Sequence, residues 1–430
     1  MKSIIQPLKG TRDFYPNLMA MRKWIYNALQ HVSESYGYQE YEAPFLESID
    51  LYAAKSGEEL VNQQSFVFPD RGGDLIALRP EMTPSLARMV AQRQNQLAFP
   101  LRWWSFGPFW RYEKPQKGRS REFFQWNIDL IGVDSPEADA ELIALAAKFF
   151  QYVGLTPQDV VILVNDRSLT NAELISLSVP QEKLTDCLNL IDRRGKMEPT
   201  AWDAYAQEIG LNQAQLQGLK AVLVDKELWK KSERLIQIFT ALEALGVKDY
   251  VQYDPNIIRG LLYYTGTVFE AFDSRGEVRR SILGGGRYDN LLAAVGGDPL
   301  PAVGFAMGDL VISLILETLN LYPSTLSASP ANVMVTVFDP ERQKTSLALA
   351  TELRRAGIKV SCYPEIAKLP KQFKYADRIG VRLVLVIGPD EDALGQVTIK
   401  DLKYSTQQTI SRLDTAKVIL TMLQENTYTI

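Results

Sequence analysis

Residues 111–132 read RYEKPQKGRSREFFQWNIDLIG, and the alternation inside this stretch decides the architecture of the larger part of the chain. Over 123–131 polar and apolar side chains alternate, so Gln125, Asn127 and Asp129 fall on one face of an extended strand. A basic loop precedes it, with Lys114, Lys117, Arg119 and Arg121 around Pro115 and Gly118. Arg111 stands at the end of a second strand-like run, 101–112. A cationic loop thus closes over a surface bearing an amide and a carboxylate. Such a surface suits a phosphate and a small polar molecule held side by side, because guanidinium groups fork onto phosphate and carboxylate oxygens. The plain alternative is an exposed basic hairpin on a sheet edge.

Residues 18–36 read as an amphipathic helix with Ile25, Leu29, Val32 and Tyr36 on its apolar stripe and Gly37 at its stop. Strand-like segments follow at 38–42, 65–69 and 74–79. After the hairpin, Ser135 is a helix N-cap, Pro136 takes the first position, Glu137 and Asp139 suit the first turn, and Gly154 ends the helix. A short strand is expected at 160–164. Residues 168–250 are rich in Leu, Ala, Gln, Glu and Lys at helical spacing and read as a helical insertion. Strand signals return at 267–272 and 278–283, before the glycine-rich GGGRYD of 284–289. A small, polar linker follows Ser324. Beyond it β and α patterns alternate: strands at 333–338, 358–363 and 383–388, helices at 341–356 and 370–379. The expected fold is an α+β domain over 1–325, an antiparallel sheet flanked by helices with the insertion inside it. A small α/β domain with a largely parallel sheet follows over 326–430.

Length, 430 residues, calls for two or three domains, and 46% apolar with 23% charged residues is ordinary for a globular chain. A net charge of −4 means that any nucleic-acid contact must use local patches. Cys187 and Cys362 fit no metal or redox spacing, which points to a reducing compartment. With no signal-peptide core and no membrane-spanning run, a cytoplasmic protein without membrane contact is expected. The single histidine, His31, falls on the polar side of its helix with Lys23, Asn27 and Glu34. Histidine-based triads and histidine-ligated zinc are therefore excluded, and no structural zinc is expected. Catalysis must rest on arginine, carboxylate, amide and tyrosine groups.

Four clusters carry such groups. In ALRPEMTPSLAR (77–88), Glu81 and Thr83 form a receiver for an ammonium group, the alternative being Thr83 as N-cap of a helix. In the opening stretch, Arg111 can grip a phosphate or carboxylate, Gln125 can donate to a carboxylate, Asp129 can accept from a nitrogen, and Phe123 offers a ring for a base. In IIRGLLYYTGTVFEAF (257–272), Arg259 stands before a glycine, and Tyr263 and Tyr264 read as a pocket wall or a core pair. In LGGGRYDNL (283–291), three glycines let a ligand approach the backbone, without the Lys-Ser/Thr of a nucleotide-binding loop.

In this order the clusters resemble the class II aminoacyl-tRNA synthetases, and within them the histidyl-tRNA synthetase family, over essentially the whole chain. KGTRDFYP, the following helix and YEAP are similar to that family's dimer-interface motif, and 102–132 to its second motif. RGLLYYTGTVFE resembles the histidine-binding segment, and KQFKYADRIG lies in a region similar to the anticodon-binding domain. The resemblance implies roles. Glu81 and Thr83 would receive the ammonium of histidine, and Gln125 its carboxylate. Asp129 and Tyr264 would bond its imidazole, with Tyr263 and Tyr288 lining the pocket. Arg111 would bridge the α-phosphate and the attacking carboxylate, and Arg259 would stabilise charge at that phosphate. Glu113 and Phe123 would hold adenine, and Arg119 and Arg121 the phosphates. Lys371, Lys374, Arg378 and Arg382, at helical spacing, would form one basic face toward the anticodon of tRNA(His); without the resemblance such a run reads as a solvated helix face. ATP is implied as a substrate with magnesium bound to it, L-histidine and tRNA(His) as the other substrates, and a homodimer as the assembly.

Two positions depart from the pattern. Leu262 stands where the family carries aspartate, and Val311, in AVGFAMGDLVIS, where the third motif carries an arginine for the far end of ATP. Another arginine can take that place, the 114–121 loop being one source. Both departures favour a rival: a non-catalytic histidine-binding paralogue such as the regulatory subunit of ATP phosphoribosyltransferase. The carboxyl-terminal domain and the retained Arg111, Arg259 and Glu81 oppose it. A synthetase for threonine, proline or glycine is a second rival, opposed by RGLLYYTG.

Overall fold

The computed structural model describes residues 4–53, 64–260, 263–278, 280–290, 292–324, 326 and 328–424. The chain divides into two compact units, one of Met1–Asp13 with Arg22–Tyr322 and one of Phe14–Met21 with Pro323–Ile430. In the first unit the strands run β1 (Gln39–Glu40), β2 (Leu46–Ser48), β3 (Phe66–Pro69), β4 (Leu75–Leu78), β5 (Leu101–Trp110), β6 (Glu122–Ile131), β7 (Val160–Asp166), β8 (Val251–Tyr253), β9 (Thr267–Asp273), β10 (Leu283–Arg287) and β11 (Ala302–Gly308). Eight of them build one sheet in the order β1-β5-β6-β11-β10-β9-β7-β8, and β2-β4-β3 form a small separate one. From β5 across to β7 every pairing is antiparallel; the edge strands β1 and β8 lie parallel to their neighbours.

The basic hairpin is β5–β6, in register from Leu101↔Ile131 to Trp110↔Glu122. It is not an edge feature, because β1 pairs with β5 and β11 with β6. The expected alternation holds, and the apolar members of β6, Trp126, Ile128 and Leu130, sink into the core against the helix Pro136–Tyr152. That helix starts as expected: Ser135 Oγ accepts the Ala138 N–H at 3.2 Å. Eleven of its residues are buried, far more than one amphipathic face provides, because the helix Glu233–Ala244 covers its outer side. Burying each large apolar side chain there contributes about 1.5–3 kcal/mol. Asp139, expected only to suit the helix dipole, is fully buried. It accepts from Arg287 Nε at 3.0 Å, Thr267 Oγ1 at 2.7 Å and Arg234 Nε at 3.0 Å. This carboxylate fixes β10 against the helix and so places Tyr288, which follows β10.

Two expectations need correction here. Residues 168–250 are helical, but they serve two cores. Leu174, Cys187, Leu190, Trp202, Leu216 and Leu219 form a separate cluster, whereas Leu235, Ile238 and Leu242 belong to the main core. Helical spacing is the same in both, and only the packing partner tells them apart. The second concerns the glycines of 284–286, read as an opening to a ligand after a strand at 278–283. They form β10 itself, between β9 and β11. A Cβ on Gly286 would lie 2.7 Å from Thr267 O and 2.8 Å from the Tyr264 ring, and one on Gly285 would strike Gly304 O and Phe305. The missing side chains make room for what crosses the strand.

In the second unit, β12 (Val333–Val335), β13 (Val360–Cys362), β14 (Leu383–Val386), β15 (Gln396–Asp401) and β16 (Thr406–Ser411) form a sheet in the order β13-β12-β14-β15-β16. The β12 pairings are parallel, as the alternating pattern implied. β14–β15 and β15–β16 are antiparallel, so the sheet is mixed rather than largely parallel. β16 escaped the sequence pattern because its first four residues are exposed and polar or hydroxylated on both faces, as an edge strand allows. Among the described residues no helix is long and apolar enough to cross a membrane.

Candidate active site

Arg111, Glu113, Arg119, Phe123 and Arg259 line a single cavity of about 1090 Å³. Arg111 emerges just past β5, where its N–H donates to Arg121 O at 2.9 Å and its Nε to Pro80 O at 3.0 Å. Its guanidinium lies over the Phe123 ring at 5.4 Å, and Phe123 in turn stacks on Phe109 at 6.0 Å. Glu113 and Arg119 pair at 2.5 Å across the loop. Arg121 is not among the residues lining the cavity. Its guanidinium covers the Tyr112 ring at 4.2 Å and its Nε donates to Glu113 O at 3.3 Å, so it braces the loop.

Arg259 approaches the cavity from the segment before β9, in a left-handed backbone conformation with φ 58°. Its Nη1 pairs with Glu270 Oε1 at 2.5 Å. Burial pushes the Glu270 carboxyl up, while Arg259 pulls it back. The side chain occupies the space over β10 that Gly284 leaves free; a Cβ at 284 would collide with the guanidinium. The sequence pattern suggested glycines opening the backbone to a ligand, and at this position they open it to Arg259.

Sequence reasoning missed Arg167, which starts the helix Arg167–Ser176 behind this segment. Buried to 6% exposure, it donates to Ile258 O at 3.1 Å, to Tyr264 O at 2.8 Å and to Arg259 O. Burial pushes its guanidinium down to about 10. One side chain thus grips the segment on both sides of Gly260. Leu262 lies outside the described residues. The signal that could have found Arg167 was an arginine closing an apolar strand, VVILVNDR, where a solvated residue is the norm.

A cluster of buried polar and tyrosine side chains adjoins this wall, with the Arg259 guanidinium 5.7 Å from the centre of the Tyr264 ring. Asp129 sits on β6 opposite Gly304, whose missing side chain makes its space. Tyr288 donates its hydroxyl to Asp129 at 2.5 Å. Burial raises the Asp129 carboxyl to about 7, against the pull of that hydrogen bond. Tyr263 packs on Tyr264 at 4.8 Å and on Tyr288 at 6.1 Å between centroids. Burial, then Tyr264 and the Glu81 carboxylate, push the Tyr263 phenol up, which places buried Glu81 beside this trio. Thr83 opens the helix Thr83–Arg93, but the capping position falls to Met82 and no side chain caps the helix. The N-cap alternative for Thr83 therefore does not hold. Gln125 stands on the same strand as Asp129, four residues nearer the basic loop and paired with Gly308. Arg79, which flanks Glu81 in sequence, is instead fully buried, paired with Glu42 at 2.5 Å and bonded to Pro108 O at 3.0 Å.

In the second unit the helix Leu369–Arg378 carries Lys371, Lys374 and Arg378 and buries Gln372 and Ala376. Lys371 pairs with Glu365 at 2.6 Å. Arg382 does not share this face. It lies past the helix end, paired with Asp401 at 2.8 Å and donating to Met422 O at 2.6 Å, because Gly380 at φ 73° turns the chain away.

A cationic cavity beside a cluster of buried polar side chains on an antiparallel sheet, followed by a small α/β unit, is the layout that the class II aminoacyl-tRNA synthetases imply. The family model for histidyl-tRNA synthetase matches residues 10–309, and that for an anticodon binding domain matches 332–422. The histidine–tRNA ligase of Opitutus terrae is 38% identical over 423 residues, 95% of this chain and 96% of that protein. The chloroplastic/mitochondrial histidine–tRNA ligase of Arabidopsis thaliana is 38% identical over 416 residues, 94% of this chain and 84% of that protein. The crystal structure of histidyl-tRNA synthetase from Nostoc sp. PCC 7120 superposes with a TM-score of 0.83 at 28% identity, covering 98% of this chain and all of that one. The chain belongs to the histidyl-tRNA synthetase family.

Proposed function

We infer that this chain is a histidine–tRNA ligase. It activates histidine with ATP to histidyl-adenylate, releasing pyrophosphate, and transfers the histidyl group to the 3′ end of tRNA(His). The observation that carries the reading is the cavity lined by both Arg111 and Arg259, with Arg259 against the Tyr264 ring and the hydrogen-bonded pair Asp129 and Tyr288 buried in the same sheet region. The histidine carboxylate attacks the α-phosphorus of ATP, and a ribose hydroxyl later attacks the acyl carbon, so both nucleophiles come from substrates. The protein's part is to position them and neutralise charge. Arg111 bridges carboxylate and α-phosphate, and Arg259 takes up the charge that grows on that phosphate. Phe123 and Glu113 hold adenine, and Arg119 the phosphates, with Arg121 bracing the loop. Glu81 and Thr83 take the ammonium, Gln125 the carboxylate, and Asp129 with Tyr263, Tyr264 and Tyr288 the imidazole. Magnesium enters with the nucleotide, as part of the substrate.

Histidine-dependent ATP–pyrophosphate exchange followed by charging of tRNA with histidine tests this function. Tight histidine binding without exchange would select the regulatory paralogue instead; the anticodon-domain match over 332–422 favours the ligase. A homodimer is supported by a cluster of exposed apolar side chains on and beside the small sheet, Phe45, Leu46, Val67, Phe68 and Leu75. The exposed Lys371 and Lys374 are the anticodon-side contacts. Changing both to glutamine is expected to weaken tRNA charging by about 10-fold, by the loss of two phosphate contacts, and to spare pyrophosphate exchange. Equal loss of both activities would refute the assignment.

A further inference from the structure

The third-motif position that would bring an arginine to ATP holds Val311, which is buried to 7% exposure and lines the cavity with an apolar surface. We propose that Arg280, in the connection between β9 and β10, supplies the missing guanidinium and binds the polyphosphate end of ATP. This rests on the ligase reading above and adds a residue to it.

Three observations carry the assignment. Arg280 lines the same cavity as Arg111, Arg119 and Arg259. It meets the place vacated at 311: a Cβ built on Gly118, at the tip of the basic loop, would lie 3.2 Å from Arg280 Cδ and 3.5 Å from Val311 Cγ2. The loop tip, the valine and the Arg280 stem therefore converge, and an arginine at 311 would compete for the volume that Arg280 now fills. Third, the other four cavity arginines each have an acceptor, Pro80 O for Arg111, Glu113 for Arg119, Asn256 Oδ1 for Arg194 and Glu270 for Arg259. Arg280 has no hydrogen bond or ion pair among the described residues.

A half-buried guanidinium without an acceptor is costly unless a ligand provides one. Burial, and after it the nearby charge of Arg119, push the Arg280 guanidinium down from its ordinary value, with Glu113 opposing. An anion entering between Arg119 and Arg280 relieves that repulsion. The anion this cavity is built to receive is a nucleotide, and its triphosphate tail is the part with oxygens enough for a further guanidinium beyond Arg111 and Arg259. The 114–121 loop contributes Gly118, whose missing side chain leaves room for the Arg280 stem.

The test titrates ATP and, separately, AMP into the full-length wild-type chain, Arg280→Ala and Arg280→Lys by calorimetry, alongside pyrophosphate exchange. Loss of one charge-assisted contact is expected to weaken ATP binding about 10- to 100-fold in Arg280→Ala and to leave AMP binding unchanged. The exchange KM for ATP rises in step while that for histidine does not, and lysine recovers part of the loss. Unchanged AMP binding also certifies that the variant is folded. Equal weakening of ATP and AMP, or no change in ATP binding, overturns the assignment. Absence of histidine-dependent exchange in the wild type would overturn the ligase reading, and the ATP-against-AMP comparison would still decide the role of Arg280.

Discussion

Arg259→Ala is expected to slow histidine-dependent pyrophosphate exchange by about 10²–10³-fold while changing the KM for histidine little, the range seen when one preorganised charge-stabilising donor is removed. The side chain is prepared in advance. Arg167 clamps the backbone on both sides of it, Glu270 holds its tip at 2.5 Å, and Gly284 leaves its space open. A group so fixed needs no rearrangement as charge grows on the phosphate, so its loss falls on the rate rather than on substrate affinity. Removing it also strands Glu270, whose carboxyl burial already pushes up, so the variant's site takes up a proton instead of presenting a cation. Arg259→Lys keeps the charge but loses the fork, and is expected to recover only a fraction of the rate. Near-normal exchange in the alanine variant would remove Arg259 from the chemistry.

Asp129→Asn is expected to lower kcat/KM for histidine by roughly 10²-fold, the worth of a charge-assisted hydrogen bond in a dry site. It also has a signature in pH. With its carboxyl raised to about 7 by burial, Asp129 is a carboxylate above that pH and a neutral acid below it. The wild-type kcat/KM for histidine should therefore fall as pH drops through about 7, and the asparagine variant should lack that limb. Stability moves oppositely. The folded-state value lies above the ordinary 3.8, so the neutral acid favours folding at acidic pH and that contribution is lost as pH rises through about 7. Asp129→Asn should then melt at a higher temperature than wild type at pH 8, with the gap closing toward pH 4, as thermal denaturation would read. A pH profile with the same acidic limb in both proteins would show that another group titrates there.

One row of the candidate site was legible because strand alternation is local. The period of two alone put Gln125, Asn127 and Asp129 on one row, and the capping residues alone fixed the helix after Ser135. What escaped depends on partners distant in sequence. Nothing near Gly284 announces that its neighbour is Arg259, 25 positions away, so the glycines of β10 read as an opening to a ligand. Arg167 reads as an ordinary first-turn residue until the carbonyls of Ile258 and Tyr264 arrive. Arg382 continues the spacing of Lys371, Lys374 and Arg378, but Gly380 intervenes and Asp401 claims it. Thr83 looked like a cap because Pro84 follows it, yet the helix begins at Thr83 itself.

The vacancy that Gly284 leaves over β10 couples two positions in the history of the chain. An alanine there would evict the guanidinium, so while the protein must make adenylate neither residue can drift alone. Once a descendant keeps only the binding of histidine, the glycine is released together with the arginine. A relative that has shed its chemistry should therefore show both changes, whereas one carrying a bulkier residue at 284 beside an intact arginine should be missing from active lineages.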